Sequence, residues 1–230
     1  MIRKLLRVLV IGVLLAAVVG CSFEEQTQAL LAKHEHTTEA TPEVKLKDLP
    51  DALKMAIVDV EDSRFYEHHG VDLLGIGRAL YRDVSTLSPA EGGSTLTQQL
   101  ARNVYLNQDR TISRKVREIA LAVQLERTYS KDEILELYLN NVYFGNGAYG
   151  IRAAADSYFG KGQNLKTLTL AECALLAGLP NAPTALNPFV ESNVQDAIDR
   201  RSHVLEAMYE NGDITKEEMQ KARNEPLLLK

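Results

Sequence analysis

Apolar positions along this chain recur at helical spacing almost throughout, with helix-starting polar residues standing just ahead of them. Thr95 with Gln98 has capping-box form before "LTQQLARNVYL", and Ser130 with Glu133 has it before "ILELYLNNVYF". Thr169 with Glu172 repeats the pattern before "ALLAG", where Gly178 and Pro180 supply the stop, and Thr215 with Glu218 opens the last helix. Asp72 is placed to cap a helix through "LLGIGRALYRD", and Gly212 closes one that begins near Asn193. Strand alternation and two-residue hairpin turns are absent, so the pattern predicts a mainly α globule without internal repeats.

The first 23 residues stand apart from this pattern. "MIRKLLR" is basic, "VLVIGVLLAAVVG" is uninterrupted apolar, and Cys21 follows. The run has the length of a signal segment, and "VVGC" has the form of a lipobox. An uncleaved membrane anchor is the other reading, and the two stay open. Both leave Arg3, Lys4 and Arg7 inside and everything after Glu24 exported but tethered. Residues 24 to about 44 read as a linker, and 45–230 as one domain. One connection, "RDVSTLSPAEGG" from Arg82 to Gly93, is long enough to suggest a lid.

Charge and cysteine content narrow the possibilities. A net charge of −5 offers no basic surface for nucleic acid, which is not an expected partner. Cys21 and Cys173 lie in such different contexts that no disulfide is expected, and Cys173 in "LAECALLAG" reads as a small buried residue. No Cys/His spacing suits zinc. His68 and His69 are placed to position a loop or stack on Phe65 or Tyr66.

Candidate chemistry lies in three segments. In "VEDSRFYEHHG", Glu61 and Asp62 follow the apolar run "MAIVDV", where a carboxylate is poorly solvated; that setting suits a general base. In "GGSTLTQQLARN", Thr95, Gln98, Gln99 and Arg102 share one helical face, and the helix start with Ser94 is a natural anion site. A well-capped surface helix explains the same residues. In "RTISRKVREIALAVQLER", Arg114, Lys115 and Glu118 cluster where a helix that is apolar nearly all round, hence a buried core helix, emerges. With Arg110 nearby, the stretch offers several cations to a polyanion. Base on one side and anion clamp on the other is a layout for glycosyl transfer from a sugar diphosphate. A glycosidase needs two carboxylates but has no use for the cations.

Together these segments resemble the peptidoglycan glycosyltransferases: the monofunctional enzymes and the transglycosylase module of class A penicillin-binding proteins. "EDSRFYEHHG" is similar to the family's ED-x-x-F-x-x-H-x-G signature, "GGSTLTQQLARN" to its G-x-S-T-x-T-Q-Q stretch and "RKVRE" to its R-K-x-x-E. "KDEILELYLNNVYFGNGAYG" and "YFGKGQNLKTLTLAECALLAGLPNAPTALNP" resemble the fourth and fifth motifs, in order. The resemblance implies a lysozyme-like, bilobal helical domain with an apolar sub-lobe in the membrane. It implies polymerisation of lipid II into glycan strands on the outer face of the cytoplasmic membrane, with transpeptidases among its partners. Glu61 matches the general base. Glu118 matches the second acid, which assists pyrophosphate departure directly or through a divalent cation such as Mg or Mn. Ser94, Thr95, Gln98, Gln99, Asn103, Arg114 and Lys115 match substrate-contacting positions, with Arg110 beside them, and Asp62, Phe65 and His68 match residues that shape the site. Arg102 stands where the family commonly has lysine, and the two cations are not interchangeable in geometry. No serine-lysine transpeptidase motif follows, so penicillin binding is not expected. Two rival readings use the same groove: a lytic enzyme that cuts finished wall, and an idle scaffold.

Overall fold

The computed structural model describes residues 44–77, 93–106 and 111–230. The expected signal segment, nearly all of the linker, the lid connection up to its final Gly93, and Arg110 lie outside the described residues. Eight α-helices are described in full: α1 (Asp51–Glu61), α2 (Leu96–Tyr105), α3 (Ile112–Thr128), α4 (Lys131–Asn141), α5 (Ile151–Phe159), α6 (Leu170–Gly178), α7 (Val194–Asn211) and α8 (Lys216–Asn224). A further stretch is helical over 73–77, and Asp72 caps it by accepting from Leu74 N–H at 3.0 Å. The β structure among the described residues is a lone antiparallel bridge between Tyr143 and Tyr149. The mainly α expectation holds.

All four predicted capping boxes form, each with both reciprocal bonds, at Thr95, Ser130, Thr169 and Thr215. Helix α7 runs from Asn193 as N-cap to Gly212 as C-cap. The first described residue, Val44, packs against the core. Val44 is buried, and its N–H and C=O are both bonded to the Asn140 side chain.

Two helical groups share the core. In the first, α1 and α7 pack against each other and against α6. Helix α6 can be so enclosed because its surface is made of small residues: Ala171, Cys173, Ala174, Ala177 and Gly178 are buried along with Leu175 and Leu176. Burial pushes the Cys173 thiol up to about 12, so it stays a neutral apolar group. In the second group, α2 packs on α3 and α4, and α4 also meets α5.

Helix α3 departs from expectation. Its buried positions are Glu118, Leu121, Ala122 and Leu125, one stripe at i, i+3, i+4 and i+7, while Ile119, Ala120 and Val123 are half-exposed. It is a one-sided helix, and the helix enclosed nearly all round is α6. Helix α2 corrects in the opposite sense. Leu96 to Ala101 are all buried, including Thr97, Gln98 and Gln99, so it is not a surface helix. Its polar residues can be buried because each finds a partner: Thr97 donates to Glu126 at 2.6 Å, and Gln99 enters the site below.

Between the two groups, residues 62–72 turn tightly back. Phe65 N–H donates to the Asp62 carbonyl, and Glu67 N–H to that of Arg64. Phe65 is buried, with the His68 ring edge-on at 6.2 Å, as one of the sequence readings had it. Gly70 then touches α3 directly. It has φ +86°, and an added Cβ would lie 2.9 Å from the Ala122 backbone. Gly70→Ala is therefore expected to cost roughly 2–3 kcal/mol of stability. Denaturant unfolding checks this, and a loss under about 0.5 kcal/mol would show that the turn does not need this close approach.

Candidate active site

Glu61 ends α1 and Asp62 is its C-cap, so two adjacent carboxylates leave one helix end in different directions. Asp62 turns inward. Its Oδ2 accepts from Leu96 N–H, in the first turn of α2, at 2.9 Å, and His68 Nε2 lies 2.9 and 3.0 Å from its two oxygens. A helix start favours a negative charge, and here the protein supplies that charge itself. Two further donors at this helix start are also used: Thr95 N–H donates to Gln98 Oε1, and Gln98 N–H to Thr95 Oγ1. Thr95 Oγ1 in turn donates to the Gly70 carbonyl at 2.8 Å. These bonds make the α2 start an internal joint, with Thr95 and Gln98 forming its capping box.

Glu61 faces a different set of groups. Gln99 Nε2 donates to its Oε2 at 2.8 Å, and Arg200 Nη2 donates to its Oε1 at 3.1 Å, leaving the Glu61 side chain only 8% exposed. Tyr138, fully buried on α4, donates its hydroxyl to Gln99 Oε1 at 3.3 Å. Burial pushes the Tyr138 hydroxyl well above its ordinary range, with the Glu61 charge adding to the effect and Arg102 and Arg200 opposing it. It stays a donor, which turns the Gln99 amide so that its NH2 meets Glu61. Glu61 therefore sits in a built polar clamp, where the sequence suggested an apolar wall.

The second acid is enclosed further. Glu118 has no exposed surface; Arg114 Nη1 donates to its Oε2 at 2.7 Å, and Lys115 Nζ donates to Oε1. Lys115 also donates to Ser94 Oγ at 2.9 Å, while its side chain remains 40% exposed. The carboxylate is thus a buried anchor that holds two cations, one of them facing outward. A divalent ion at Glu118 does not fit this arrangement. Both carboxylate oxygens already take cationic donors, and no group of three acidic, histidine or cysteine ligands occurs among the described residues.

A cavity of about 300 Å³ opens at the end of α1. Glu61, Asp62, Ser94 and Thr95 line one part of it, and Asp59, His203, Glu210 and Asn211 line another. Glu118 does not reach the cavity itself, and its link is Lys115, whose ammonium holds Ser94 at the rim. The remaining candidates on α2 are Arg102, half-buried, and Asn103, exposed, one turn beyond Gln98 and Gln99. Sequence reasoning missed Arg200 and Tyr138. A signal for Arg200 was present: with Arg201 it falls on the apolar stripe of α7 that runs through Ala197, Val204 and Met208, where a charge needs a buried partner.

Comparison with known proteins follows this geometry. The family model described as Transglycosylase matches residues 27–209. A Cupriavidus necator protein provisionally named a transglycosylase is 44% identical over 233 residues, which span 100% of this chain and 96% of that protein. Penicillin-binding protein 1A of Haemophilus influenzae is 49% identical over 185 residues, 80% of this chain and 21% of that protein. The crystal structure of a Haemophilus influenzae penicillin-binding protein 1A superposes with a TM-score of 0.50 at 29% identity, over 82% of this chain and 18% of that one. The chain thus spans about a fifth of the length of the penicillin-binding proteins it matches.

Two predictions test the electrostatics. Asp62→Ala strips the buried Leu96 N–H and His68 of their acceptor and is expected to cost about 2–4 kcal/mol in unfolding measurements. Asp62→Asn keeps one acceptor oxygen and should lose clearly less; equal losses would deny the joint its role. On the cavity wall, burial pushes Asp59 up to about 7, with the Asp213 carboxyl also raising it and the Asn211 amide opposing. The folded chain then binds a proton that the unfolded chain releases near 3.8, so this group's contribution to stability falls as pH rises from about 4 to 7. Asp59→Asn should therefore be more stable than the natural chain at pH 8, by ~1–2 kcal/mol after allowance for partial exposure, and equal to it below about pH 4. Unfolding at both pH values checks the sign.

Proposed function

The chain belongs to the transglycosylase family, and on that footing we propose that it polymerises lipid II into glycan strands, releasing undecaprenyl pyrophosphate. The observation that carries this reading is the pairing of Glu61, on the cavity wall, with the Lys115–Glu118–Arg114 cluster that reaches the rim through Ser94. Glu61 takes the proton from the 4-hydroxyl of the acceptor sugar. The freed oxygen forms the new bond to the anomeric carbon of the growing strand, and the bond from that carbon to the pyrophosphate oxygen breaks with its electron pair. The departing pyrophosphate gains charge in this step, and Lys115 and Arg114 are positioned to receive it. Glu118 acts through them, since its buried carboxylate fixes where both cations point. Asn103 and Arg102 extend the polar path along which the lipid-linked substrate runs. A lytic enzyme would have little need of that cation pair.

The membrane side of the proposal has its own support. Leu73 and Leu74 are 67% and 63% exposed, side by side at the helical stretch that leads on from the site. Adjacent leucines in water are poorly placed, and a lipid surface relieves the cost. Among the described residues no helix is long and apolar enough to cross a membrane. On its basic and apolar sequence pattern, the tether is proposed for residues 1–23, with the catalytic domain on the extracytoplasmic face, where transpeptidases could take up the nascent strand.

Purified protein with lipid II in detergent is expected to yield long uncrosslinked glycan on gels. Glu61→Gln should keep the fold and lose about 10²–10⁴-fold in turnover. Near-normal polymerisation by that variant removes Glu61 as the base, and soluble muropeptides released from isolated walls would support a lytic enzyme instead.

A further inference from the structure

We infer that Gly178 and Arg200 form a positioning device for Glu61, in which the missing side chain of Gly178 leaves the channel through which Arg200 reaches the carboxylate. The inference rests on the reading of Glu61 as the base. Three observations meet here. Arg200, on α7, contacts Glu61 on α1 across 139 residues of sequence, at 3.1 Å, and both side chains are largely buried. Gly178, the last residue of α6, lies against the stem of that arginine: a Cβ there would stand 2.8 Å from Arg200 Cγ, against ordinary contacts of 3.7 Å to its Cβ and 3.5 Å to Val204 Cγ2. The backbone gives no reason for glycine, because its φ of −77° and ψ of −27° suit any residue. Space is the reason.

The geometry also divides the work at Glu61. Gln99 holds Oε2, itself oriented by Tyr138, while Arg200 holds Oε1. Two donors on two oxygens fix the rotation of the carboxylate plane as well as its place, which one donor alone would not. A base must meet its hydroxyl within about 2.6–3.2 Å, and small misplacement of a reacting group is costly in rate. Because α6 and α7 belong to one helical group and Gln99 to the other, the clamp on Glu61 also ties the two groups together at the cavity.

The test is a double-mutant cycle on the full chain with lipid II in detergent, reading kcat and KM separately. Arg200→Met is expected to lower kcat roughly 10- to 100-fold with KM within about threefold, because position and not binding is lost. Arg200→Lys should recover at least about threefold of that kcat, since a cation returns near Oε1. Gly178→Ala should lower kcat about tenfold beside the natural arginine, yet change nothing further beside Arg200→Ala, where Cγ is gone. Circular dichroism and thermal unfolding identify variants that fail to fold; if Arg200→Ala is one, Arg200→Met and Arg200→Lys still decide the case. Equal effects of Gly178→Ala in both backgrounds, or near-normal kcat in Arg200→Met, overturn the inference. Glu61→Gln in the same assay separates the two claims. If it is inactive while Arg200→Met is normal, only the positioning role falls; if it is active, the reading of the base falls and takes this inference with it.

Discussion

The carboxylate of Asp62 is the joint on which the site depends. It closes the end of α1 onto the start of α2 through Leu96 N–H and receives His68 from the turn between them. A buried carboxylate needs several donors, and a helix start needs an acceptor, so each relieves the other's desolvation. With that joint made, its neighbour Glu61 is carried to Gln99, one turn further along α2. The start of the same helix sets Ser94 against Lys115. One residue pair at a helix end thus serves two purposes, with Asp62 spent on architecture and Glu61 left facing the cavity.

The charges follow a consistent logic across the two groups of helices. Two acids of the site are matched to cations: Glu61 to Arg200 of α7, and Glu118 to Arg114 and Lys115 one turn back on its own helix. Lys131 links a third acid, Glu126, at 2.7 Å and lies over the Phe65 ring, so the signature turn is braced from α4 as well. Such pairs do little for net stability, because desolvation offsets the attraction, but breaking one leaves a charge stranded. They serve to fix where side chains point, which is what a site for charge transfer requires.

Much of this was legible in the sequence, and what was not has a physical reason. The four capping boxes could be read because a cap is a contact between residues three apart, and the cation cluster at Glu118 because it is a helical neighbour relation. The resemblance named Glu61 as the base and Asp62 as a residue that shapes the site, but residue spacing alone could not say which of them turns inward. Whether Asp62 or Glu61 turns inward depends on where α2 begins, 34 residues on. The polar face of α2 suggested a surface or an anion site, while in the fold Thr97 and Gln99 are buried because Glu126 and Glu61 come to meet them. The all-round apolar reading of α3 failed because composition cannot tell which faces are covered. Arg200 lies on a helix that approaches Glu61 by packing on the small residues of α6, and Tyr138 on one that reaches the site through α2; neither relation is local in sequence.

The account's central claim is a division between a proton-accepting side, Glu61, and a pyrophosphate-holding side, Arg114 with Lys115. Equilibrium binding of lipid II to folded variants that do not turn it over tests that division most directly. Glu61→Gln should bind lipid II within about twofold of the natural chain, whereas Arg114→Met with Lys115→Met should bind it at least about tenfold more weakly. If Glu61→Gln lost binding and the doubly neutralised variant kept it, the assignment of the two sides would be contradicted.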